Sequence, residues 1–168
     1  QAGMNSPRGL ALDTSGGRLF VAENSNNRVL VFDVNSITDG ENAANVLGQA
    51  NFTSSAAATT QAGMSAPQGL AYDATNNRLF VVDISNRRVL SFDVTAITDG
   101  ENAANVLGQA NFTSNTAATT QSGIGTSPRG ASYNTSTGRL FVTEEGNNRV
   151  LVFDVASITD GEDAVDAL

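Results

Sequence analysis

The stretch ITDGENAANVLGQANFTS, residues 37–54, recurs letter for letter at 97–114, and a third version, ITDGEDAVDAL, runs from Ile158 to Leu168. A chain that repeats itself at a fixed interval is built by stacking copies of one unit, so the period constrains the fold more than composition does. Setting residue 1 against residue 61 gives 43 identities in 60. The third unit follows after a one-residue insertion near Gly125. The spacing therefore predicts a single repeat domain over 1–168, with units at 1–60, 61–120 and 121–168.

Each unit reads as strands and turns. Arg18–Ala22 and Arg28–Val34 are β-branched and aromatic runs, apolar on both faces. The polar turn Ser25-Asn26-Asn27 lies between them, and Gly9–Asp13 makes a short strand before them. Asp39-Gly40 marks a further turn, and Asn45–Leu47 a weak fourth strand, with Ala164–Leu168 in that role in the third unit. A short helical turn is expected at Asn35–Ile37. Sheets that are apolar on both faces need another sheet on either side. Radial stacking of four-stranded blades about an axis supplies it, so the expected fold is an all-β propeller with three blades in this chain. A β-solenoid fits less well, because its coils repeat at shorter periods with parallel strands.

"SNNRVLVFD" and "GNNRVLVFD", preceded by "RLFVAE" or "RLFVTE" and by "SPRGLALD", resemble NHL repeats across all three units. The resemblance implies a propeller, commonly with six blades. Glu23 and Glu144 stand where the family's pattern has Asp, which Asp83 keeps. Three blades form an arc with an apolar face open at each end, and open faces of that size mark an interface. The simplest closure joins blade three of one chain to blade one of another, twice, giving a six-bladed homodimer. A piece of a longer propeller and an engineered chain are the alternatives.

The chain has no Cys, His, Trp or Lys, and its nine basic residues are all Arg. It thus lacks disulfides, thiolate chemistry, the commonest general base and the commonest transition-metal ligand. A net charge of −8 argues against nucleic acid and anionic membranes. The longest apolar runs, such as Leu19–Ala22, are four residues, far short of a membrane span. No targeting segment is visible, and a soluble protein in either an extracellular or a cytoplasmic setting is compatible with the sequence. RNA binding, known in the resembling family, is disfavoured because Arg8, Arg87 and Arg129 are too few to make a basic face.

Residues identical in every unit are expected to serve structure. On that ground Arg18, Arg78 and Arg139, Arg28, Arg88 and Arg149, and Asp33, Asp93 and Asp154 are predicted to form structural ion pairs. Asn26, Asn86 and Asn147 are predicted to bond the backbone of the turn. The turn positions that vary, Asn24, Asn27, Ile84, Arg87, Glu145 and Asn148, are the candidate binding face for a protein or glycan partner, with Ile84 and Arg87 an apolar and basic contact. The carboxylates of Glu23, Asp83 and Glu144 sit at the end of the second strand. In a closed dimer they could ring the channel mouth and hold Ca²⁺, supporting a hydrolase or lactonase. Arg8 and Arg129 could neutralise them instead. No catalytic constellation stands out from the repeat, so the expectation is a non-enzymatic scaffold without a cofactor, whose ligand is not specified by these residues.

Overall fold

The computed structural model describes residues 3–168. Strands β1 (Pro7–Asp13), β2 (Arg18–Glu23), β3 (Arg28–Asp33) and β4 (Asn45–Leu47) form one antiparallel sheet in the order β1-β2-β3-β4. Strands β5 (Pro67–Asp73), β6 (Arg78–Asp83), β7 (Arg88–Asp93) and β8 (Asn105–Leu107) form the second. The third comprises β9 (Pro128–Asn134), β10 (Arg139–Glu144), β11 (Arg149–Asp154) and β12 (Asp166–Ala167). The expected four-stranded blades are therefore present, and the fourth strand falls on Asn45–Leu47 as the pattern requires. In blade three it shortens to two residues. Asn35–Ile37 does not form a helical turn; the helical element among the described residues is a single 3₁₀ turn, Glu145–Asn147, between β10 and β11.

The β2–β3 turn closes through a left-handed residue in each blade, Asn27 (φ 54°), Arg87 (φ 53°) and Asn148 (φ 50°). Asparagine tolerates that conformation at little cost, whereas Arg87 adopts it under the constraint of its neighbours. At the β1–β2 turn Asp13 accepts hydrogen bonds from the backbone of Ser15 and Gly16, at 3.1 and 2.9 Å.

Because side chains alternate along a strand, each blade has two apolar faces. The trailing face of blade one (Phe20, Ala22, Val29, Val31, Leu47) packs on the leading face of blade two (Leu79, Val81, Leu90, Phe92). The trailing face of blade two (Phe80, Val82, Val89, Leu107) packs in the same way on Leu140, Val142, Leu151 and Phe153 of blade three. Met64 and Ile124, each just ahead of the next blade's first strand, plug these two interfaces and are fully buried. The innermost strands approach so closely that a Cβ on Gly9 would run into the Gln68 carbonyl, and one on Gly69 into the Arg129 carbonyl. Glycine is required at both positions for that reason.

Candidate interaction site

The end of the second strand holds the same buried cluster in every blade. In blade two, Asp83 Oδ2 accepts from Asn86 Nδ2 and Arg88 Nε, both at 2.8 Å, and Oδ1 from the Ser65 N–H at 2.7 Å. Arg88 is the largest fully buried side chain and also donates to the carbonyls of Phe112, Thr60 (2.9 Å) and Gly63 (2.7 Å). Glu23 is held likewise by the Asn5 N–H, Asn26 and Arg28, and Glu144 by the Gly125 N–H, Asn147 and Arg149. A buried ion pair persists only when its remaining donors and acceptors are met, and here they are. This placement corrects the channel-mouth reading of Glu23, Asp83 and Glu144. The three carboxylates are buried inside separate blades with their oxygens engaged, and no group of three acidic side chains among the described residues is arranged to hold a metal ion.

Five of the six arginines expected in ion pairs meet a carboxylate outside the expected set. Arg28, Arg88 and Arg149 pair with Glu23, Asp83 and Glu144. Arg18 and Arg78 pair with Asp13 and Asp73, both at 2.7 Å, while Asp33 and Asp93 instead accept from the N–H groups of Asn35 and Thr95 at 2.9 Å and close the following turn. Asp33 and Asp93 are thus turn residues. Arg139 faces Asp154 at 3.9 Å, a loose contact, because Asn134 stands where the other blades have Asp13 and Asp73. That exchange is also why a search for residues common to all units missed Asp13 and Asp73.

Burial acts to raise the Asp13 carboxyl's pKa, but the Gly16 N–H, the Ser15 hydroxyl and Arg18 outweigh it and hold the group at about 2. Asp73 is lowered too, against burial, by Asn76, Arg78 and Thr75. A depressed carboxyl stabilises the fold above its ordinary value of 3.8 and loses that contribution as pH falls toward about 2. Thermal denaturation should therefore show a melting temperature that falls steeply below about pH 4, and the Asp13→Asn variant should show a shallower fall.

The turn residues proposed as a binding face are mostly committed to neighbouring segments. Asn24 donates to the Pro67 carbonyl of blade two at 3.4 Å. Asn27 donates to the Ser55 carbonyl at 2.9 Å and accepts from the Ala66 N–H at 2.8 Å. Ile84 packs against the core between blades two and three, and Arg87 donates to the Asn115 carbonyl at 2.8 Å. Asn24, Asn27 and Ile84 thus hold blades together, Arg87 ties down the connector of its own blade, and all four are half-buried rather than the exposed contact expected. Glu145 and Asn148 of blade three remain exposed, with Glu145 paired to Arg129 at 2.7 Å on the surface.

The conspicuous unpartnered surfaces are the two ends of the arc. On blade one, Met4, Leu19, Val21, Phe32 and Ile37 line an apolar groove of about 290 Å³. Leu10 and Ile37 are 62% and 73% exposed, whereas their counterpart Leu70 in blade two is 6% exposed and Ile97 packs into the core. On blade three, Phe141, Val152, Leu168 and Arg139 line a groove of about 420 Å³. Arg18 and Arg78 reach across to the carbonyls of Val94 and Val155 in the next blade, while one guanidinium nitrogen of Arg139 is buried without a partner among the described residues.

This architecture defines three consecutive blades of the β-propeller fold. The NHL repeat family model matches residues 4–32 and 126–153, the first three strands of blades one and three, and these segments are NHL repeats. Among solved structures, the chain is similar to hydrazine synthase of Kuenenia stuttgartiensis (14% identity, TM-score 0.66, 98% of this chain and 36% of that one). It is also similar to a chain of a nidogen/laminin complex (21%, 0.63, 99% and 48%) and to U3-55K (14%, 0.68, 100% and 40%). At these identities the likeness is one of fold. The chain spans between 36% and 48% of the length of these three structures. No curated protein sequence matches it significantly. No helix among the described residues is long and apolar enough to cross a membrane.

Proposed function

We propose that this chain is a non-enzymatic interaction scaffold whose three blades close with those of a second copy into a six-bladed ring, leaving the rim around Arg129, Glu145 and Asn148 to a protein or glycan partner. The observation that carries the reading is the match between the two ends. The open face of blade one repeats the half-interface that blade two offers to blade one, and the open face of blade three repeats the half that blade two offers to blade three.

Three details support the pairing. Gly130, the counterpart of Gly9 and Gly69, has no backbone of the described residues near its Cβ position, yet remains glycine; in a closed ring the Arg8 carbonyl of the second copy fills that space. The orphaned nitrogen of Arg139 points to the Val34 carbonyl of the second copy, by the pattern of Arg18 and Arg78. At the internal interfaces Tyr72 stacks on Phe20 beside Asp13, and Tyr133 on Phe80 beside Asp73. At the seam both members change together, to Leu12 and Asn134, so no charged carboxylate is left beside a leucine.

Light scattering on a sizing column tests the reading. The expected mass is twice the 17.3 kDa of one chain. A monodisperse, folded single chain at high concentration sinks it.

A further inference from the structure

We propose that closure of the ring is proton-dependent, because the seam sets Asp166 of one copy against Asp39 of the other. This inference rests on the ring reading above and adds its regulation. At the two internal interfaces the fourth strand docks on the next blade's Thr-Asp-Gly loop through one repeated arrangement. The Val46 N–H donates to Asp99 Oδ1 at 3.0 Å, and Asn45 Nδ2 donates to the same oxygen at 3.3 Å and to the Ile97 carbonyl at 3.4 Å. The Gly100 N–H answers to the Val46 carbonyl at 3.1 Å. One blade further on, the Val106 N–H and Asn105 Nδ2 donate to Asp160 Oδ1 at 3.0 and 3.3 Å.

At the seam the corresponding residues are Asp39 and Ile37 of blade one, and Asp166 and Ala167 of blade three. The Ala167 N–H can still donate to Asp39. Asp166 cannot replace the asparagine, since an ionised carboxylate brings only acceptors to a place where the Asp39 carboxylate and the Ile37 carbonyl are both acceptors. Asp39 and Asp166 are both exposed in the single chain, where neither is opposed. On closing, one of two facing carboxylates must take a proton or the pair must spread.

The surrounding charges do not relieve the pair. Asp33, at the end of β3, and Glu41 lie on either side of Asp39 along the chain, and Glu162 and Asp163 precede Asp166. Asp154 stands two residues along β11 from Val152, the register partner of Asp166, and lines a groove with Glu162 and Asp163. Arg139 is the one cation lining the groove that holds Asp166; it faces Asp154 at 3.9 Å, and in the closed ring the seam carbonyl takes its other nitrogen. A carboxyl raised in the closed state favours closure below its ordinary value of about 3.9, and that contribution is lost as pH rises through the raised value.

The test is the dissociation constant of the ring at about pH 7.5 and about pH 4.5, measured by sedimentation equilibrium on the native chain and on Asp166→Asn, which restores the residue of the other blades. The native ring should be about tenfold tighter at the lower pH, and Asp166→Asn should be about tenfold tighter than native at the higher pH with little remaining pH dependence, for a ring with two seams. A dimer whose affinity is the same for both proteins at both pH values overturns this inference and leaves the ring standing. Absence of any dimer in either protein overturns the ring itself. An internal mirror needs no association: Asn105→Asp sets a carboxylate against Asp160, and should lower the melting temperature more at the higher pH than at the lower. An unchanged melting temperature would show that such a pair is harmless in this setting and would overturn the inference too.

Discussion

Arg88→Ala is expected to be the most damaging single substitution in the blades, lowering the unfolding free energy by about 3–5 kcal/mol. Arg88 is fully buried and donates to Asp83 and to three carbonyls, those of Thr60, Gly63 and Phe112. Removing it strands those acceptors and leaves the Asp83 carboxylate buried without a cation. Burial pushes the Asp83 carboxyl up even with Arg88 beside it. Without Arg88 the group takes a proton more readily, which sets the sign of the pH effect. A raised folded-state pKa favours the fold at low pH and is lost as pH rises, so the variant's deficit should shrink on mild acidification. Urea denaturation of both proteins at neutral and mildly acidic pH measures it. Arg149→Ala should cost less, because Arg149 remains 16% exposed and water can solvate what it leaves. Equal losses at the two positions would mean that burial is not what sets the effect.

Gly130→Ala is expected to prevent closure of the proposed ring without unfolding the chain. Among the described residues, the only heavy atoms near a Cβ there belong to the Thr143 side chain, at 3.3 Å and beyond, so the single chain accommodates a methyl group with a small rotation. The same change at Gly69 meets the backbone of Arg129 and Ala131, which cannot retreat without parting the inner strands of blades two and three. Gly69→Ala should therefore lower stability by several kcal/mol, on the order of an overpacked core site (~3 kcal/mol). Gly130→Ala should leave the melting profile of the dilute chain nearly unchanged and abolish the doubled mass. If Gly130→Ala retains the doubled mass, the second copy does not bring its Arg8 carbonyl to this glycine, and the dimer must use another surface.

The paired strands were legible because they follow from local pattern. A 60-residue period with alternating apolar runs admits few ways of covering both faces of each sheet, and Asn45–Leu47 could be placed from its repeat alone. The partners of the arginines were not legible. Arg18 lies opposite Asp13 on one side and Asp33 on the other in the same sheet, so spacing along the chain cannot choose between them. Asp13 has blade two stacked over it and is 1% exposed, whereas Asp33 opens to solvent. The attraction is strongest where water is excluded, and the arginine goes there.

The turn residues show the same division. Asn24, Asn27, Ile84 and Arg87 look like surface because each lies in a polar hairpin turn, and within a lone blade each would be. Stacking brings Pro67, Ala66 and blade three against Asn24, Asn27 and Ile84, and the connector at Asn115 against Arg87. The sequence by itself determined the repeat, the four strands of each blade, the two-faced apolar pattern and the need for a covering sheet at each end, since all of these depend on neighbours along the chain. Only the tertiary structure decided which carboxylate each arginine meets, which turns are used up between blades and which atoms are left waiting at the two ends. Those depend on exclusion of water by residues 39 to 77 positions away, a distance over which periodicity carries no chemical detail.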